Sequence, residues 1–364
     1  MNDSSLTPAG GASCPVPRAD YPHILLAHGG GGRLMHRLID ELIAPALGGS
    51  ADTTHDAAIL STAMANRIAF TTDSFVVRPL EFPGGDIGRL AVFGTINDLA
   101  MSAAAPMALS LALIIEEGFP TARLTGILHS IAAAAKEAGV RVVTGDTKVI
   151  DRRSREAEPD LFITTSGVGV VPDNLPVRPG PAAIQPGDRV LINGDIARHG
   201  MAVMAARADL GFESTIESDC APLHHAVHAL LASGVRIHAM RDLTRGGLAA
   251  GLHELARARG LRMQLHEPAI TVRDDVRAAC ELTGIDPLFV ANEGRFVCIV
   301  PPDHAAAALA SLRQSFPGLA VADIGEVLDG DGDTAGPVPL VLRTAFGTER
   351  LLDLPAGDQL PRIC

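Results

Sequence analysis

Hydrophobic and polar positions change rhythm several times along the chain, and each change predicts an element. Residues 67–74 carry the apolar run Ile68-Ala69-Phe70 and end on Thr72, Asp73 and Ser74, and read as a strand. Pro83, Gly84 and Gly85 then break the chain, Asp86 offers an N-cap, and apolar residues at 87, 90, 91, 93 and 96 predict a helix from Ile87 to Ala103. Leu109 to Ile115 is a continuous apolar run of strand length, and Arg123 to Ala138 has helical spacing. A strand over 140–144 is predicted to end in the polar cluster Gly145, Asp146, Thr147 and Lys148, and Leu161 to Val171 reads as another strand.

Pro-Gly breaks at 179–181 and 186–187 mark a boundary near residue 180. Beyond it the pattern predicts strands at 189–193, 235–240, 295–300 and 321–327, and helices at 199–209, 222–233, 247–259, 273–282 and 303–315. The loose alternation implies an α/β (α+β) chain of two domains, 23–180 and 181–350, and 364 residues suffice for both. Residues 1–22 are small and polar and read as a disordered extension. Residues 351–364 alternate Pro with Gly and read as a mobile tail that ends in Cys364. Fully stretched, its last ten residues reach roughly 33–36 Å, enough to bring a thiol from solvent into a cleft.

Composition narrows the functional classes. A net charge of −12, no Trp and one Tyr offer neither a basic footprint nor stacking platforms, which disfavours nucleic acid as a partner. Cys14, Cys220, Cys280, Cys298 and Cys364 are odd in number and never spaced as a Cys-x-x-Cys pair, against a disulfide framework or a structural zinc site. There is no secretory signal pattern and no apolar run of membrane-spanning length, so the expectation is a reducing cytoplasm.

Candidate chemistry gathers around acids. Asp56, Asp73, Asp98 and Asp146 each stand beside small or hydroxyl residues in or next to apolar segments. One such Asp is an ordinary turn or helix cap; four in one half suggest Mg²⁺ shared with phosphate oxygens. Gly29, Gly30, Gly31 and Gly32 precede a helical pattern and can turn backbone N–H groups toward an anion, although no Lys-Ser/Thr follows as in a Walker loop. Arg241 to Gly247 follows a strand and opens a helix, with Asp242 and Arg245 placed to meet phosphates or to form a surface ion pair. Glu293, between Asn292 and Gly294, is a candidate base, and His224, His225 and His228 read as a solvated helix face.

These segments, in order, resemble a known family. His28 to Gly32, Thr71 to Ser74, Phe82 to Gly85, Asn97-Asp98, Gly145 to Lys148, Arg241 to Gly247, Asn292 to Gly294 and Pro361 to Cys364 look like the HypE family of hydrogenase maturation factors. That family lies in the superfamily of aminoimidazole ribonucleotide synthetase and selenophosphate synthetase, and the resemblance runs from about residue 23 to the end. It implies a homodimer with paired N-terminal domains, and ATP with Mg²⁺ in a cleft. It further implies a carbamoyltransferase partner, HypF, that loads a carbamoyl group on Cys364, followed by ATP-dependent dehydration to a thiocyanate. The cyanide would pass through a HypC–HypD complex to the iron of a [NiFe]-hydrogenase. By the same resemblance Asp56, Asp73, Asp98 and Asp146 would hold Mg²⁺. Gly29 to Gly32, Asn97, Thr147, Asp242 and Arg245 would surround the nucleotide phosphates, and Glu293 and Lys148 would take protons. A selenophosphate synthetase would want its reactive residue in the Gly-rich segment, and Cys14 lies well before it. A pure thiol carrier would have no use for the acids.

Overall fold

The computed structural model describes residues 23–25, 38–46, 67–154, 157–173, 175, 177, 179–207, 215–330 and 340–353. Gly29 to Gly32, Asp56, the 1–22 extension and the tail from residue 354 with Cys364 lie outside the described residues.

The first half begins with a short helical stretch, Leu38–Ile43 and Ala44–Ala46. Strand β1 (Ile68–Phe75), the small hairpin β2 (Glu81–Phe82) and β3 (Gly85–Asp86), helix α1 (Ile87–Met101) and strand β4 (Ala105–Glu116) follow. Helix α2 (Thr121–Glu137) and strands β5 (Arg141–Ile150) and β6 (Leu161–Val170) complete it. The sheet order is β1-β6-β4-β5, and only β4 and β5 run parallel, joined by the crossover through α2. Asp86 caps α1 as its position suggests, its Oδ1 accepting from the N–H groups of Gly88 at 2.7 Å and Arg89 at 3.0 Å.

Helix α1 is the pivot of the molecule. It has no polar face: Leu90, Phe93, Ile96 and Leu99 are all buried, because the first sheet covers one side and the second half covers the other. Side chains of β1 at 71, 73 and 75 turn toward α1, as do Leu109, Leu111, Leu113 and Ile115 of β4 toward the helix layer. The alternate positions face away, and there Ile68, Phe70 and Ile114 are 56%, 68% and 40% exposed.

The second half contains β7 (Arg189–Ile192), α3 (Arg198–Ala205), α4 (His224–Ala232), β8 (Ala239–Asp242), α5 (Gly247–Arg259), β9 (Arg262–His266) and α6 (Asp274–Thr283). It ends with β10 (Phe296–Val300), α7 (Pro302–Ser315), β11 (Ala322–Leu328), β12 (Leu340–Arg343) and β13 (Glu349–Leu351). These strands form one sheet of order β13-β12-β9-β11-β7-β10-β8, antiparallel except for β9 with β12. All five residues of β10 are buried: Val297 and Ile299 join one apolar core, Phe296, Cys298 and Val300 another. A strand covered on both faces reads as an unbroken apolar run, which is how its sequence looks. The second of these cores takes in Ala100 of α1 and Ala103 just after it, so the halves share buried apolar surface.

Three sequence expectations need correcting here. The strand predicted at 140–144 does not stop at the polar cluster but continues to Ile150, because Gly145 to Lys148 pair along β4. The pair β12–β13 and strand β9 carry too few residues to stand out. His224 is buried rather than solvated, whereas His225 is exposed.

Candidate functional site

Four carboxyl groups converge where α1 meets the second half. Thr71 and Asp73 come from β1, Asp98 from the last turn of α1, Asp242 from the end of β8, and Glu293 from the segment entering β10. Thr71 Oγ1 donates to Asp98 Oδ2 at 2.9 Å, fixing the carboxylate against the strand. Burial raises Asp98 above the usual carboxylate range, opposed by that hydrogen bond and by the Arg241 guanidinium. Asp73, at the rim, keeps contact with solvent; desolvation by the surrounding protein and the Asp98 charge raise it, while Ser74 N–H and Arg245 oppose the rise.

Asp242 is 5% exposed and pushed up to about 7, first by burial and then by the Asp98 charge. Glu293, 3% exposed, is driven well above its ordinary value by burial, with Asp242, Asp219, Asp73 and Asp98 adding to it. Asp242 Oδ2 and Glu293 Oε1 are buried without a hydrogen-bond partner. Buried carboxyl oxygens left this way are costly unless protons or a cation are shared among them. Two cations face the group: Arg245, exposed in the turn before α5, and Arg241, also bonded to Glu254 at 2.9 Å. Gly246 and Gly247 follow at φ of +77° and +63°, a left-handed pair that only glycine adopts cheaply; it lets the chain turn sharply from β8 into α5.

The backbone around Glu293 is held from all sides. Asn292 accepts from Ala197 N–H at 2.7 Å and donates to the carbonyls of Leu243 and Val290 at 3.1 and 3.0 Å. Asp219 accepts from the N–H groups of Glu293 and Gly294 at 3.3 and 3.2 Å. Arg295 lies 3.7 Å from Asp219 and donates to Asp195 at 2.7 Å, an ion-paired base under the segment. Asn97 donates to the carbonyls of Ala221 and Glu293 at 3.1 and 3.3 Å and accepts from Leu223 N–H at 2.8 Å.

Two expectations change accordingly. Asn97, expected at the phosphates, is 2% exposed and turns its amide to the second half's backbone. The four-aspartate pocket does not form within one chain. Ala112 pairs with Asp146 and Ile114 with Lys148, on the sheet face turned away from the helices. There Asp146 and Lys148 bond each other at 2.8 Å, and the Lys148 ammonium holds Asp146 below the usual carboxylate range. Thr147, between them, turns inward and is 4% exposed. Asp73, Asp98, Asp242, Glu293 and Arg245 are thus brought together; Asp146 and Lys148 stand on the far side of the sheet.

Comparison with known proteins places the chain in a family. The AIR synthase related protein N-terminal domain matches residues 54–171 and its C-terminal domain residues 185–336. The carbamoyl dehydratase HypE of Rhodobacter capsulatus is 46% identical over 346 residues, 94% of this chain and 98% of that protein. That of Azotobacter vinelandii is 48% identical over 340 residues, 93% and 96% of the two chains. The chain belongs to the HypE family. Among solved structures, a hydrogenase maturation protein HypE in complex with ATP matches at a TM-score of 0.85 and 41% identity, covering 93% of this chain and 99% of that one. A HypE–HypF complex matches at a TM-score of 0.73 and 43% identity, covering 87% and 99%. Membership of the HypE family accounts for the two-domain α/β architecture. Sequence reasoning missed Asp219, Arg295 and Asp195: a lone acid in a loop, or an Arg before a strand, carries no signal until the fold brings them together.

Proposed function

We propose that this chain is an ATP-dependent carbamoyl dehydratase that converts a carbamoyl group on the Cys364 thiol into a thiocyanate, the source of cyanide ligands for a hydrogenase iron. The observation that carries the reading is the acidic cluster itself. Asp73, Asp98, Asp242 and Glu293 converge beside Arg241 and Arg245, with orphaned buried oxygens on Asp242 and Glu293. Among the described residues no three side chains form a ready-made metal cage. That suits Mg²⁺, which takes one or two carboxylates and fills its remaining positions with phosphate and water oxygens.

In this reading Asp73 and Asp98 would hold Mg²⁺, which when bound neutralises phosphate charge, with Asp242 beside them in the cluster. Arg245, in the open turn before α5, reaches the nucleotide phosphates, and Arg241 partly offsets the upward push of burial on Asp98 and Asp242. The thiocarbamate oxygen attacks the γ-phosphorus of ATP and ADP leaves; the C–O bond then breaks to release phosphate, while two N–H protons are lost as the C≡N bond forms. Positioning and charge neutralisation supply most of the acceleration. Glu293 would take a proton from nitrogen in its ionised form, which burial disfavours and a cation bound at the cluster would favour; once ionised it is a stronger base than an exposed carboxylate. Water is kept from the reacting group by the buried walls around Asn292 and Glu293.

Lys148 and Asp146 enter only if two chains pair through the outer face of the first sheet. The exposed Ile68, Phe70 and Ile114 on that face support a homodimer, in which each chain's Asp146–Lys148 pair serves the cleft of the other. HypF as the loading partner, a HypC–HypD complex as the acceptor and a cytoplasmic setting complete the proposal. Cys220, Cys280 and Cys298 are free buried thiols, in keeping with a reducing compartment, and no described helix is long and apolar enough to cross a membrane.

Intact-mass spectrometry of the C-terminal peptide after incubation with HypF, carbamoyl phosphate and ATP tests the reaction. A carbamoyl adduct should appear and then lose one water; an adduct that persists in the presence of ATP refutes the dehydratase reading. ATP consumption that is the same with and without carbamoylation would favour a thiol carrier instead.

A further inference from the structure

The hydrogen bonds of Asn97 do more than fill a core. Asn97 and Asp98 are neighbours on α1, in the first half, whereas Glu293 belongs to the second. The Asn97 amide reaches across the junction to the Glu293 carbonyl at 3.3 Å and the Ala221 carbonyl at 3.1 Å. Its oxygen takes the Leu223 N–H at 2.8 Å. From the other side Asp219 grips the N–H of Glu293 at 3.3 Å and of Gly294 at 3.2 Å. The peptide groups flanking the Glu293 side chain are therefore fixed at both ends, one by each half of the molecule. The Glu293 carboxyl itself has an oxygen without a partner, so its place is set by the backbone clamp and not by bonds of its own.

We propose that Asn97 and Asp219 are positioning residues for Glu293, clamping its backbone across the domain junction so that its carboxyl meets the Asp73, Asp98 and Asp242 cluster in one fixed geometry. The inference rests on the reading of Glu293 as the group that accepts a proton in the dehydration. It assigns Asn97 to holding the base in register with the neighbouring Asp98, and it gives the otherwise unused Asp219 a task at the site. Neither residue touches the substrate. A shift of about 1 Å in a reacting group costs on the order of 100-fold in rate, so a clamp of this kind is worth that much to catalysis.

The test uses the full chain carbamoylated by HypF, with Asn97→Ala and Asp219→Asn as variants. Three quantities are read: the single-turnover rate of water loss, ATP affinity by titration, and hydrogen exchange of the 288–296 segment. The clamp predicts faster exchange at the Glu293 and Gly294 amides and a water-loss rate lower by roughly 100-fold, with ATP affinity within about threefold of wild type. Unchanged exchange in both variants overturns the clamp. Faster exchange with an unchanged rate overturns the positioning role. Loss of ATP binding in parallel with rate, or a chain that unfolds at the assay temperature, also overturns it, because the residues would then hold the fold and not the base. Failure of the wild-type chain to lose water would instead sink the dehydratase reading, while exchange would still report on the clamp.

Discussion

Replacing Gly294 by alanine probes the close approach that sets the acidic cluster. A Cβ built at Gly294 lies 2.0 Å from the Asp219 carbonyl oxygen, whereas ordinary contact begins at 3.4 Å, so 3.4 − 2.0 = 1.4 Å has to be made up. Two segments can yield, the loop carrying Asp219 or the one carrying Glu293, and each is bonded to the other. Forcing an extra methyl into such a packed place costs about 1–3 kcal/mol. A displacement of that size at the proton acceptor slows the chemical step by roughly 100-fold. Arg245 and Asp73 lie outside the clash, so Mg²⁺–ATP should still bind. The assay is single-turnover water loss from the carbamoylated tail, with an ATP titration and a thermal melt alongside. Wild-type turnover and an unchanged melt in Gly294→Ala would refute the argument that this contact fixes the site.

Further outcomes follow from the same geometry. Asp98→Asn removes a carboxylate held by Thr71 and should weaken Mg²⁺–ATP binding by roughly 10–100-fold, the value of a charge-assisted bond of about 1.5–3 kcal/mol, with the fold intact in circular dichroism. Asp242 titrates at about 7 in the folded chain against an ordinary 3.8. Its stabilising contribution is therefore full below the unfolded value and is lost as pH rises through about 7. The nucleotide-free protein should melt lower at about pH 8 than at about pH 5; Asp242→Asn should flatten that slope and melt higher than wild type at about pH 8, while binding Mg²⁺–ATP less tightly. Cys364→Ala should leave nucleotide titrations unchanged and abolish thiocyanate, read by mass spectrometry of the tail; a loss of ATP affinity would mean the tail does more than carry substrate.

The architecture was readable wherever one periodicity governed a whole segment. The Asp86 cap with the apolar spacing after it located α1, and the apolar run at 295–300 located β10. What α1 does was not readable, since burial all round looks in sequence like any apolar helix, and only the second half explains it. At the site, Asp73 and Asp98 stood out because an acid beside an apolar run is costly, and Asp242 only as part of the segment Arg241 to Gly247. Asn97 was misread because adjacency to Asp98 suggested a shared ligand, whereas successive helical residues point in different directions. Asp146 and Lys148 were misplaced by ending the strand at its polar cluster. Carried on at a period of two, the same residues fall on the outer face, with Thr147 and Val149 inside.

The position of Asp146 and Lys148 on the side of the sheet opposite Glu293 makes the protein open to repair by mixing. If each cleft draws its lysine from one chain and its glutamate from the other, chains crippled by Lys148→Ala and chains crippled by Glu293→Gln would be inert alone. Combined, they would form hybrid pairs in which one of the two clefts is whole. A single chain bearing both changes would be rescued by neither parent, and a wild-type chain joined to it would lose both clefts at once.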